Sequence, residues 1–116
     1  MNIQKNLVSK IPKEVSHVTE TLEKAGFEAY LVGGCVRDLI LDREPKDWDV
    51  TTNASPEQIV GLFEKTIYEN TFGTVLVFVP RETTDDDVSH ETLRQIEVTP
   101  FRIEAKYSVV KTIIAI

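Results

Sequence analysis

Apolar residues recur at two different periods along this chain, and the switch between them predicts its elements. Over residues 12–25, Val15, Val18, Leu22 and Ala25 fall at i, i+3, i+7 and i+10, the stripe of an amphipathic helix. Pro12 suits the first turn of that helix and Gly26 its C-terminal stop. Residues 27–32 read as a buried strand running into a glycine pair. Residues 34–41 then read as a short helix, with Val36, Leu39 and Ile40 facing inward. A loop over 42–46 leads to a strand over 47–52, where Val50, Thr51 and Thr52 favour extended backbone. Ser55-Pro56-Glu57-Gln58 starts a further helix: serine caps it, proline takes its first position and Gln58 its third. That helix should reach about Phe63, burying Ile59, Leu62 and Phe63.

Two more extended runs, 74–80 and 94–102, flank an acidic loop over 81–92. Phe72-Gly73-Thr74 leads into the first, with Gly73 read as a plain turn or as a place where backbone approaches a ligand. Residues 1–11 read as a flexible lead-in. The apolar stretch 109–116 either adds a strand or dangles; exposed, Ile113-Ile114-Ala115-Ile116 would favour aggregation or pairing with a partner. The fold class is α/β (α+β), a short mixed sheet with helices packed on it.

Composition narrows this reading. With 116 residues, 41% of them hydrophobic, the chain supports one small domain with one core. The single cysteine, Cys35, excludes an internal disulfide and fits a reducing, cytoplasmic setting. A small apolar residue at a tight turn is its simpler role, a reactive thiol the alternative. His17 and His90 lack ligand spacing, and no secretory signal or membrane-spanning run is present. Net charge is −6 and pI about 4.9. Proteins that hold RNA by its phosphates usually carry basic patches. At this net charge the chain does not show them.

The most specific chemistry lies in Leu31-Val-Gly-Gly-Cys-Val-Arg-Asp38 and, nine residues on, Asp47-Trp-Asp49. Glycines let backbone approach an anion closely, and the N–H groups that open a helix point at it. Gly33 and Gly34 are thus candidates for a phosphate cradle. Arg37, three residues after Gly34, could reach the same phosphate, since its planar fork suits bidentate contact. The competing reading of Arg37 is a surface ion pair with Asp38 or Asp42, worth about 0–1 kcal/mol. Asp38 itself belongs to the helix and suits a turn or an arginine pair better than a metal.

On a strand, residues i and i+2 share a face, so Asp47 and Asp49 point together and Trp48 points to the core. Two carboxylates so placed repel, and a divalent cation removes the conflict. Mg²⁺ typically takes one or two carboxylates with phosphates and waters. In a two-metal site, one ion activates the attacking hydroxyl and the other holds the triphosphate and leaving group. Pairs at this spacing are common on solvated surfaces; the preceding Gly-Gly-x-x-Arg-Asp sets this one apart. In Gln95-Ile-Glu-Val-Thr-Pro-Phe-Arg102, Glu97 and Thr99 face away from Ile96 and Val98. If that strand lies beside Asp47-Trp-Asp49, Glu97 completes a three-carboxylate cluster. The alternative is an edge-strand glutamate facing water. The cluster is expected on one exposed strand edge beside the helix N-terminus. Arg102 is a weaker second phosphate ligand.

These motifs, with Pro45-Lys-Asp-Trp-Asp-Val-Thr-Thr-Asn-Ala54, Phe72-Gly-Thr74 and Glu97-Val-Thr-Pro-Phe-Arg102, occur in the order of a known family. Over roughly residues 11–108 the chain resembles the head domain of class II tRNA nucleotidyltransferases. These are the CCA-adding enzymes and their bacterial poly(A) polymerase relatives, of the polymerase-beta-type superfamily. The resemblance implies that Asp47 and Asp49 are catalytic, metal-binding aspartates and that Glu97 is the third active-site carboxylate. It likewise implies that Gly33, Gly34 and Arg37 bind the nucleotide's phosphates. The implied reaction transfers CMP and AMP from CTP and ATP to the 3′ end of tRNA, or AMP to other RNA 3′ ends, with Mg²⁺ and release of pyrophosphate.

The chain departs from the family after Tyr107-Ser108, where an Arg-Arg-Asp-Phe-Thr-Ile-Asn-Ala-like motif would follow. It reads Val109-Val-Lys-Thr-Ile-Ile-Ala-Ile116 instead. The neck that selects the base and the helical body and tail that grip tRNA lie outside it. The expected organisation is a lead-in over 1–11, an incomplete head domain over 12–108 and a non-family apolar tail over 109–116. The leading reading is the head of an RNA nucleotidyltransferase; the alternatives are a catalytically incompetent NTP–Mg²⁺-binding module and an inert α/β fragment.

Overall fold

The computed structural model describes residues 9–69, 73–81, 93–101 and 113–115. Among the described residues these elements follow in chain order: α1 (Lys13–Lys24), β1 (Ala29–Val32), α2 (Gly34–Ile40), β2 (Trp48–Thr52), α3 (Pro56–Leu62), β3 (Thr66–Glu69), β4 (Thr74–Pro80), β5 (Leu93–Pro100) and β6 (Ile113–Ala115). The strands form one sheet in the order β3-β4-β5-β2-β1-β6. Only β2 and β5 run parallel; every other neighbouring pair is antiparallel. The mixed α/β sheet expected from the sequence is thus the sheet observed.

Register explains which face is covered. Leu31, Val50, Val98 and Val75 lie side by side across four strands, and all are buried. One step along, Val32, Asp49, Glu97 and Leu76 form the next row, and each is only partly buried. Side chains alternate along a strand, so the first row faces the helices and the second faces out. Val15, Val18 and Leu22 of α1, Val36 and Leu39 of α2 and Ile59 of α3 join the first face in one core. Ile11 also enters that core, and Lys10 pairs with Asp42, so packing begins within the stretch expected as lead-in.

Local chemistry sets the helix ends. Ser55 and Gln58 form a reciprocal capping box at α3: Gln58 N–H donates to Ser55 Oγ at 3.2 Å, and Ser55 N–H donates to Gln58 Oε1 at 2.8 Å. Pro56 takes the first position, as expected. Gly26, at φ +96°, ends the turn after α1, and Phe27 N–H returns to the Leu22 carbonyl at 3.0 Å.

Several expectations are corrected. Ala25 is exposed at the C-cap of α1, so the apolar stripe ends at Leu22. Ile40, expected inside, is 54% exposed because α2 closes there and turns its last residue away from the sheet. The strand β3 was not anticipated: Thr-Ile-Tyr-Glu is mostly exposed and carries no burial alternation. The acid-bearing strands are the two central strands of the sheet, not an edge; what is open is their face. From the apolar tail, β6 pairs antiparallel with β1, the strand-adding outcome of the two expected. The acidic loop, Phe72, Arg102 and the stretch around Tyr107-Ser108 lie outside the described residues.

Candidate active site

The site forms where β1 ends and β2 begins, on the open face of the sheet. The chain passes from strand to helix at one residue, Gly33, which holds φ +85° and caps α2. An L-residue there would be strained, and its Cβ would stand 3.3 Å from Asp49 Oδ2. The glycine is therefore needed for the turn and also for the room that the aspartate occupies. Val32, just before it, is the register partner of Asp49. The glycine turn and the aspartate strand thus share one corner of the molecule.

The parallel β2–β5 pairing sets Asp49 beside Glu97 in register, on the same face. The edge-strand alternative for Glu97 is excluded, because β5 lies between β4 and β2. Asp47 precedes β2 and is exposed, while Trp48 turns into the core at 3% exposure. Burial raises the Asp49 carboxyl above the ordinary carboxylate range, and the Asp47 charge raises it further. Burial also raises Glu97, with added repulsion from Asp49, Glu69 and Asp47 in that order. The carboxylates feel one another, and Glu69 at the end of β3 is a fourth member that the sequence did not reveal.

The three expected carboxylates adjoin without closing into a cage. Among the described residues, no group of three or more His, Cys, Asp or Glu is disposed to hold a metal ion. Mg²⁺ does not require such a cage, since substrate phosphates and waters supply much of its octahedron. The donor set fits it: hard oxygens, mutually destabilised as anions, on an open face.

Arg37 lies on α2 with its side chain 68% exposed. Its Nε is 3.6 Å from Asp38 Oδ1, the surface pair weighed as its simpler role. Its Nη2 also stands 3.5 Å from where a Cβ on Gly34 would be, so the guanidinium folds back over the glycine turn. It can meet an anion there without leaving its helix. Cys35 is 2% exposed and donates its thiol to the Val32 carbonyl at 3.3 Å. Burial raises its thiol above the ordinary range, which fits a small packed residue more than a nucleophile.

Beyond the carboxylates, the open face carries hydroxyls. Thr51 donates to the Thr99 carbonyl at 2.9 Å, and the Thr74 and Thr99 hydroxyls meet at 3.1 Å. Gly73 takes φ +75°, with Pro56 Cγ 3.7 Å from where its Cβ would be, an ordinary turn against α3. No helix among the described residues is long and apolar enough to cross a membrane.

Helices cover one face of this mixed sheet, and the other carries a carboxylate pair beside a glycine turn. The chain belongs to the poly(A) polymerase head domain family, whose model matches residues 29–113. It is 43% identical over 104 residues to a CCA-adding enzyme of Lactobacillus helveticus, covering 86% of this chain and 23% of that protein. It is 59% identical over 49 residues to poly(A) polymerase I of Haemophilus influenzae, covering 42% of this chain and 11% of that protein. The crystal structure of the Bacillus stearothermophilus CCA-adding enzyme in complex with CTP matches with a TM-score of 0.60 at 36% identity. That match covers 77% of this chain and 20% of the other. The chain thus spans less than a quarter of the length of each of these relatives.

Proposed function

We propose that this chain is the nucleotide- and Mg²⁺-binding head of a cytoplasmic RNA nucleotidyltransferase. In the reaction, an RNA 3′ oxygen bonds to the α-phosphorus of CTP or ATP, the α–β phosphoanhydride bond breaks, and pyrophosphate leaves. The 3′ hydroxyl gives up its proton. Asp47 and Asp49 would hold Mg²⁺, which in two-metal chemistry would neutralise phosphate charge and ease loss of the hydroxyl proton. Glu97 supplies the third carboxylate, supporting the metal site or accepting the attacking proton. Backbone at Gly33 and Gly34, with the Arg37 guanidinium, receives the triphosphate. Such chemistry is mostly positioning and charge neutralisation, so no Ser or His nucleophile is needed.

The observation that carries this reading is the in-register pairing of Asp49 with Glu97, with Asp49 Oδ2 only 3.3 Å from where a Cβ on Gly33 would stand. The names of the relatives, CCA-adding enzyme and poly(A) polymerase, support tRNA or another RNA as the acceptor. The chain's charge of −6 and its small share of those relatives' length favour an RNA grip supplied by segments outside it. The same two facts favour a second reading, in which the chain binds NTP–Mg²⁺ without catalysing transfer.

An incorporation assay with labelled CTP and ATP on a tRNA lacking its 3′ end, run beside calorimetry of each nucleotide with Mg²⁺, separates the two. Incorporation that Asp49→Ala abolishes supports the enzyme. Binding without incorporation supports the module, and neither binding nor incorporation defeats both.

A further inference from the structure

We infer that the cavity between the start of β2 and the overhanging β4–β5 hairpin is a subsite for a phosphodiester of the acceptor RNA, an inference that rests on the nucleotidyl-transfer reading above. Trp48, the first residue of β2, pairs with Ile96, whereas β5 and β4 stay paired as far as Leu93 and Pro80. Residues 93–95 therefore project beyond β2 and leave a step in the sheet. A cavity of about 240 Å³ fills that step, lined by Lys46, Asp47, Arg81, Arg94, Gln95 and Glu97 among others.

The charge pattern in this cavity calls for an anion. Arg94 is already engaged, its Nε donating to Glu14 Oε1 at 2.8 Å across the helix face. Lys46 and Arg81 are exposed and make no ion pair among the described residues, although Asp47 and Glu97 line the same cavity. A larger cavity of about 410 Å³ lies beside Asp42 and Arg43, but there Lys10 pairs with Asp42 and Arg94 with Glu14. Of the two, the smaller cavity joins two cations that make no ion pair among the described residues to two candidate catalytic carboxylates.

Position says which phosphate fits. Gly33 and Arg37 follow β1 and flank Asp49 on that side, whereas Arg81 follows β4, beyond β5, and Lys46, which leads into β2, lines the cavity with it. In-line phosphoryl transfer sets attacking and leaving oxygens on opposite sides of the transferred phosphorus. With the triphosphate at Gly33 and Arg37, the strand that supplies the attacking hydroxyl enters from the opposite side. A guanidinium and an ammonium there hold its last phosphodiester.

The test is an NMR titration of the whole chain with two probes: the diribonucleotide CpC, which has one phosphodiester and a free 3′ hydroxyl, and CTP with Mg²⁺. CpC should shift the backbone amides of Lys46, Arg81 and Gln95. Lys46→Ala and Arg81→Ala should each weaken CpC by roughly threefold or more, the scale of an exposed charge contact. CTP–Mg²⁺ should bind both variants as it binds the wild type. Both side chains are exposed, so folding is not at stake. Unchanged CpC binding in both variants overturns the inference. Weakened CTP in place of CpC also overturns it, because the cavity then serves the triphosphate. CpC bound at the cavity by a chain that binds no CTP–Mg²⁺ would sink the nucleotidyl-transfer reading and leave the anion subsite standing.

Discussion

Gly33 and Asp49 are the two residues whose closeness ties the glycine turn to the acidic strand. A methyl group at residue 33 meets positive φ and an Asp49 oxygen 3.3 Å away together. Gly33→Ala should therefore destabilise the chain by about 1 kcal/mol or more in urea unfolding. It should also weaken CTP–Mg²⁺ binding, whereas a loss of stability with unchanged binding would separate the turn from the site. The carboxylates carry a second consequence. Asp49 and Glu97 are both raised in the folded chain, so the folded state holds more protons than the unfolded one between the ordinary and raised values. Their contribution to stability then falls as pH rises through that window, and the loss is complete above it. Asp49→Asn should raise the melting temperature of the metal-free chain at pH 7 and flatten this part of the pH profile. A lower melting temperature at pH 7 would show that the cluster carries no such strain.

Among the elements, the parallel pair of β2 and β5 does most to build the site, and it was the least legible in the sequence. Alternation at Ile96, Glu97 and Val98 predicted which side chains face out, and they do. That Glu97 would stand beside Asp49 depends on a register between segments 48 residues apart, which no local pattern specifies. The helix starts were legible because capping is local: Ser55, Pro56 and Gln58 act within one turn. Ser55→Ala should cost about 1 kcal/mol. Ile96→Ala should cost about 2–5 kcal/mol by leaving a cavity beside Trp48, its register partner. Chemical denaturation checks both, and an Ile96 effect smaller than the Ser55 effect would contradict the packing described. The strand β3 escaped the sequence reading for the opposite reason, since an exposed edge strand has no apolar rhythm to show.

Across the molecule, the described residues form two layers, with one face of the sheet under helices and the other open along the carboxylates. Its acidity, at −6 over 116 residues, was legible at once, and the open face explains where part of that charge is used. The motif order also carried the family, because the glycine turn and the aspartate strand are adjacent in sequence and in space. The convergence of Lys46 and Arg81 on one cavity was not legible, since it comes about only through the overhang of β5 beyond β2.

The proposed function depends on carboxylate oxygens from two distant segments meeting at the glycine bend to hold a cation. Titrating Mn²⁺ into the ¹⁵N-labelled chain, in the presence of CTP, tests that meeting directly. Paramagnetic broadening should appear first and together at residues 33–34, 47–49 and 97, and Asp49→Ala should remove it. Broadening that gathers instead around Asp85, Asp86 and Asp87, or that spares Glu97 while touching the aspartates, would contradict the account.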